Sequence, residues 1–232
     1  MALYDPFDRF VEAVLPSDIS KGMLAEFRSL SRSVNIQRGQ TAIKANGVDQ
    51  IAFVASGSTK LVAHASGGRE QIVDFQFTGD LVAVPAQTAH AYTIDALETG
   101  ELLQFNARSF YELACAQPRL LVAIVERASL SLSHYREKAI TLGRTSAQEK
   151  MAGFFLAIAD RIGVPDKTDD VVTLPMSRRD IADSLGLSTE TVSRQVTALR
   201  AAGLLSTDGR SIFRLSDRAA LNARAGNLPI IA

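Results

Sequence analysis

Between Met176 and Leu204 two short amphipathic patterns are separated by a single glycine, and few arrangements of a chain satisfy both. Ser177 stands where an N-cap is needed, and Asp180 follows three residues on, near the positive end of a helix dipole. Ile181, Ala182 and Leu185 then fall on one face. Gly186 breaks this helix, Leu187 plugs the turn, and Ser188 caps a second helix from Thr189 to Ala201 with Val192, Val196 and Leu199 inside. Two helices joined this tightly, with facing apolar stripes, form a helix-turn-helix.

The second helix leaves Thr189, Glu190, Ser193 and Arg194 pointing away from its apolar face. In this motif those positions enter the major groove of duplex DNA. An arginine gives two hydrogen bonds to guanine, a glutamate accepts from the cytosine amino group, and a serine hydroxyl works either way. Glu190 and Arg194 are also spaced as an i, i+4 ion pair, which contributes only about 0.2–0.5 kcal/mol and leaves the arginine oriented for a base. Downstream, Ser206 to Leu215 reads as a hairpin centred on Asp208-Gly209, a wing. Arg210 and Ser211 at its tip, together with Ser177, Arg178 and Thr191 at the helix starts, are expected to contact phosphates.

The charge of the whole chain, 25 basic against 25 acidic residues, gives no sign of a nucleic-acid partner. Its distribution does. From Met176 to Arg224 eight arginines stand against five carboxylates, and no lysine is present. The planar guanidinium suits phosphates and guanine edges better than an ammonium does.

Upstream the texture is different. Ser33–Gln37, Thr41–Lys44, Gln50–Ala55, Ser58–His64, Arg69–Phe77, Ala91–Leu97 and Glu101–Asn106 read as short strands between glycine-containing turns, the pattern of an antiparallel sandwich or barrel. Pro6 to Leu30 ahead of them reads as helical. Pro118 to Leu142 contains no glycine and no further proline. It predicts one long helix, with Leu121, Ile124, Ala128, Ser131, Tyr135 and Leu142 as a dimer seam near heptad spacing. Ser146 to Ile162 predicts another helix, and Gly163 to Asp170 a polar loop. The chain is thus expected to be α+β in three parts: residues 1–116, a helix over 117–144, and a winged helix-turn-helix over 145–232.

Other chemistries find little support. With one cysteine, Cys115, neither a disulfide nor a cysteine zinc site can form within the chain. His64, His90 and His134 stand singly, so neither a metal nor haem is expected. Cys115, between Ala114 and Ala116, reads as a small buried apolar residue. No signal-peptide order and no long apolar run occurs, so a cytoplasmic protein without a membrane partner is expected. No catalytic constellation is found, and with 47% hydrophobic residues the chain has material for a sizeable core.

Barrel, long helix and winged helix-turn-helix, in that order over nearly the whole chain, resemble the CRP/FNR superfamily of bacterial regulators. The segment from Leu174 to Arg194 is especially similar to the FNR and FixK branches. The resemblance implies that the N-terminal part is a jelly roll like those that bind cyclic nucleotides. It further implies that Glu190, Ser193 and Arg194 match the Glu-x-x-Ser-Arg that reads TTG half-sites. The implied protein is a homodimeric activator on a TTGAT-type inverted repeat, in contact with RNA polymerase. Two departures limit the input signal. The N-terminal cysteines that hold an iron-sulfur cluster in the oxygen-sensing branch are missing. The Gly-Glu and following Arg-Ser that hold a cyclic phosphate are replaced by Gly79-Asp80 and His90-Ala91. DNA binding without a cofactor is therefore expected; the alternative is a repressor gated by a ligand in the roll or by oxidation of Cys115.

Overall fold

The computed structural model describes residues 5–45, 47–86, 89–144, 146–166, 169–209 and 211–227. The chain resolves into two compact units, Met1–Ser131 and Leu132–Ala232. The division falls inside the long helix.

The first unit opens with α1 (Pro6–Val14) and α2 (Lys21–Leu30). The stretch expected to be helical is thus divided in two. Pro16 forces Leu15 into an extended conformation (φ −87°, ψ 144°), and Ser20 restarts the chain by accepting the Met23 amide at 3.2 Å. Among the described residues eight strands follow: β1 (Arg32–Ile36), β2 (Thr41–Lys44), β3 (Gln50–Ser56), β4 (Ser58–His64), β5 (Glu70–Phe77), β6 (Leu81–Val84), β7 (Ala91–Ala96) and β8 (Gly100–Asn106). They form two antiparallel sheets, ordered β1-β8-β3-β6 and β2-β7-β4-β5. All seven expected strands are present within a residue or so; β6, four residues long and directly after the Thr78-Gly79-Asp80 turn, was not foreseen.

Alternation along β3 and β8 explains how the sheets find partners. Ala52, Val54 and Leu102 point into an aliphatic core shared with Ile36, Ile43, Leu61, Val84 and Ile94. Ile51, Phe53, Leu103 and Phe105 point the other way, onto Phe7, Phe10, Phe27 and Phe110. Both faces of this sheet are covered, so β3 reads as a continuous apolar run. Phe110 belongs to α3 (Ala107–Cys115), which leads to α4 (Pro118–Gly143). Cys115, at the end of α3, is exposed rather than buried, because the inward positions of that helix are Ala107, Phe110 and Ala114.

The second unit contains α5 (Ala147–Ile162), β9 (Val164–Asp166), β10 (Asp169–Thr173), α6 (Arg178–Leu185), α7 (Thr189–Ala201), β11 (Leu205–Asp208), β12 (Ile212–Leu215) and α8 (Arg218–Arg224). The expected polar loop is instead the hairpin of β9 and β10, which extends the wing into a sheet ordered β11-β12-β10-β9. Val172, opposite Phe213 and fully buried, supplies the apolar anchor that makes this segment a strand. Phe155 of α5 packs on Phe213 with ring centroids 5.1 Å apart.

Candidate nucleic-acid interface

Ser188 fixes the start of α7. Its Oγ accepts the Thr191 amide at 3.1 Å and lies 2.9 Å from the Thr191 hydroxyl. From that origin the helical repeat turns Val192, Val196 and Leu199 inward, where they are buried. Thr189, Glu190, Ser193 and Arg194 are turned outward and exposed. Ile181, Ala182 and Leu185 of α6 are buried, and Gly186 closes that helix at φ +64°, the left-handed conformation a C-cap needs.

The outward face carries a guanidinium, a carboxylate and two hydroxyls. The Arg194 Nη2 donates to Thr191 Oγ1 at 3.3 Å, and Glu190 makes no ion pair among the described residues. The Glu190–Arg194 bridge that the spacing allows is therefore not formed; an exposed pair worth only about 0.2–0.5 kcal/mol loses to a hydroxyl already held by the cap. The Ser193 hydroxyl donates to the Thr189 carbonyl at 2.9 Å, which leaves its lone pairs as acceptors.

The residues expected at phosphates are placed variously. Ser177 caps α6: its Oγ accepts the Asp180 amide at 3.1 Å and donates to the Asp180 carboxylate at 2.6 Å. Arg178 turns inward, its guanidinium carbon 4.8 Å from the centre of the Phe213 ring and its Nη1 buried without a hydrogen-bond partner among the described residues. Burial pulls this guanidinium below its ordinary pKa. Thr191 is half-buried, engaged with Ser188 and Arg194. Ser211 is exposed, its carbonyl accepting the Leu174 amide at 2.8 Å. Arg210 lies outside the described residues.

Charge is sorted across the unit. Arg214 is paired with Asp166 at 2.5 Å, and Arg218 with Asp170 at 2.6 Å and with Asp160. Arg194 and Arg200 have no carboxylate partner among the described residues, so α7 presents two guanidinium groups against the single carboxylate of Glu190.

Of the six residues expected in a seam on α4, Ile124 is taken by the phenylalanine-rich core, and Ser131 is half-buried. Leu121, Ala128 and Leu142 are exposed, and Tyr135 is half-buried. Between them lie Val125 and Leu132, 56% and 49% exposed, and Ala139, also exposed. Leu121, Val125, Ala128, Leu132, Tyr135, Ala139 and Leu142 form an apolar stripe stepping by four and three without interruption. Two of the expected positions, Ile124 and Ser131, lie beside this stripe, each one residue before an exposed member, Val125 and Leu132; the unbroken four-three spacing is the signal in the sequence that marks it.

Residues 149–224 match the family model of a Crp-like helix-turn-helix domain, and residues 33–116 that of a cyclic nucleotide-binding domain. The chain is 36% identical over 191 residues to the nitrogen fixation regulation protein FixK of Bradyrhizobium diazoefficiens, covering 82% of this chain and 81% of that one. It is 31% identical to the transcriptional activator protein FnrL of Cereibacter sphaeroides, covering 88% and 84%. The solved structure of FixK2 from Bradyrhizobium japonicum superposes with a TM-score of 0.69 at 26% identity, covering 87% of this chain and 98% of that one.

Proposed function

The chain belongs to the CRP/FNR family of transcription regulators, and on that footing we propose that it is a homodimeric activator that binds a TTGAT-type inverted repeat without an added ligand. The observation that carries this reading is the face of α7. Glu190, Ser193 and Arg194 stand on it exposed, and neither the carboxylate nor the guanidinium is neutralised by the other. Arg194 supplies two donors for guanine, Glu190 an acceptor for the cytosine amino group, and Ser193 an oxygen for a third base. Activity as an activator is supported by the likeness to FnrL, and a FixK-like role by the likeness to FixK. Contact with RNA polymerase, which an activator needs, is part of the same proposal.

The stripe from Leu121 to Leu142 supports dimerisation, since seven apolar positions at heptad spacing on one helix require a second helix to cover them. A two-fold dimer places its recognition helices about one duplex turn, roughly 10 base pairs, apart.

The first unit matches a cyclic nucleotide-binding domain, but its donor set does not fit that ligand. The Gly79 amide is given to the Val54 carbonyl, the Asp80 carboxylate accepts the Phe77 amide at 2.8 Å, and the Gly79 carbonyl accepts from Arg127. His90 and Ala91 offer no guanidinium to balance a cyclic phosphate. Input through protein abundance or modification is the simpler mechanism.

Selection of bound sequences from a random duplex pool, with purified protein and no additive, tests the reading. Two TTG half-sites in inverted repeat are expected, and Arg194→Ala is expected to lose about 1–3 kcal/mol of base discrimination per half-site. Failure to enrich any sequence, enrichment only with a small molecule present, or unchanged binding by a folded Arg194→Ala protein overturns it.

A further inference from the structure

Arg144 follows the last residue of α4, and its side chain lies back over α5. The guanidinium is half-buried and rests on Gly153: a Cβ built on that glycine comes within 2.2 Å of Arg144 Nη1 and 3.4 Å of Cζ. Nη1 donates to the Glu149 carbonyl at 3.4 Å, and Nη2 donates to Asn227 Oδ1. Asn227 is itself fixed, its amide group donating to Asn222 Oδ1 at 2.8 Å and its backbone N–H to the Asn222 carbonyl at 3.2 Å. One guanidinium therefore joins the end of α4, the first turns of α5 and the segment after α8. Gly153 is buried in the middle of α5, where glycine costs about 1 kcal/mol against alanine. The space it leaves is the seat of Arg144.

The elements so joined carry both halves of the recognition geometry. Leu132, Tyr135, Ala139 and Leu142 lie on the part of α4 that belongs to the second unit, and α7 packs on α5 within the same unit. We infer that Arg144 is a positioning residue for DNA recognition: seated on Gly153 and bonded to Asn227, it fixes the angle at which α7 is carried relative to the dimer helix, and so the half-site spacing that a dimer accepts. The inference rests on the DNA-binding reading above. Arg144 touches no base in this scheme; it acts through the placement of α7.

Gly153→Ala displaces Arg144 without changing it, because the atom met is the free end of a flexible side chain and the remaining contact, Thr141 Oγ1 at 3.2 Å, yields by a few tenths of an ångström. Arg144→Ala removes the clasp directly. The full-length protein and each variant are titrated against inverted-repeat duplexes whose two half-sites are moved apart or together by one base pair at a time, and against a duplex with a single half-site. Each variant is expected to lose about tenfold in affinity at the preferred spacing and to discriminate less between spacings, and the two changes combined are expected to cost no more than Arg144→Ala alone. Single-half-site affinity should stay at the wild-type level, which damage to the helix-turn-helix itself would not permit. Unaltered spacing preference in Arg144→Ala, or an effect of Gly153→Ala that persists in full without Arg144, overturns the inference. Absence of wild-type binding to every duplex instead removes the reading beneath it.

Discussion

Leu132→Asp is the sharpest test of the dimer seam. In the protomer Leu132 is 49% exposed, so about half of the 1.5–3 kcal/mol for fully burying a leucine remains to be gained on association, about 1 kcal/mol. Two-fold symmetry doubles this, because the residue meets its own copy across the axis. An aspartate there forfeits that gain and sets two carboxylates against each other; at about 4 Å and an effective dielectric near 20 their repulsion is about 4 kcal/mol. Allowing for side chains that bend towards water, the combined loss is about 4–6 kcal/mol, a dimer weaker by roughly a thousandfold to twenty-thousandfold. Sedimentation equilibrium reads the change, with circular dichroism to confirm folding. Leu130→Asp is the control. Leu130 is more exposed, at 62%, yet lies off the four-three stripe, so the same substitution should leave association within about 0.5 kcal/mol of wild type. A Leu132→Asp protein that sediments as the wild-type dimer, or a Leu130→Asp protein that dissociates as readily, refutes the reasoning.

Phe213 is 1% exposed and packs between Phe155 and the Arg178 guanidinium, so Phe213→Ala should cost the second unit about 3–5 kcal/mol in urea denaturation, and a loss under about 1 kcal/mol contradicts this packing. In the first unit, the hydrogen bond from Arg28 at 2.5 Å, aided by the Phe7 amide, holds the Asp5 carboxyl below its ordinary 3.8. A lowered folded-state value stabilises fully above the unfolded value and ceases to do so as pH falls through the folded one. Arg28→Met should therefore lower the melting temperature slightly at pH 7, in keeping with about 0.2–1 kcal/mol for an exposed pair, and the difference from wild type should shrink below about pH 4. A difference that is constant with pH rules this pair out as its source.

Much of the architecture was legible because local chemistry and tertiary demand agree. The strands of the first unit are bounded by turn glycines, and β3 shows its burial on both faces as an unbroken apolar run. The helix-turn-helix was legible for the same reason: two serine caps, one left-handed glycine and two apolar stripes each specify the same backbone. What failed was decided elsewhere. The polar segment after Gly163 looks like a loop by composition, yet Val164–Asp166 and Asp169–Thr173 pair as strands: Arg214 and Arg218 neutralise Asp166 and Asp170, and Val172 stands opposite Phe213. The Glu190–Arg194 pair, open as an alternative by spacing, is not formed because a hydroxyl held by the neighbouring cap takes the guanidinium.

Helix α4 shows why periodicity alone cannot sort the positions of a helix that carries two apolar stripes. On α4 two apolar stripes lie one residue apart. Leu120 and Ile124 satisfy the protomer's own core, and Leu121, Val125, Ala128 and Leu132 begin the stripe left over. Both give a near-heptad pattern in the sequence, so a reading by spacing merges them, as the choice of Ile124 beside Leu121 did. Only the packing partner separates the two, and that partner is Phe110 and its neighbours, assembled from α1, α2, β3, β8 and α3. The same holds for Arg144 and Gly153, nine positions apart with no recognisable motif between them; a basic residue after a helix and a glycine within one have meaning only once α5 folds back beneath the end of α4. The exposed residues of α7 are legible because one helix alone decides which way they face, whereas Arg144, Gly153 and Asn227 depend on several elements at once, and only the structure brings those together.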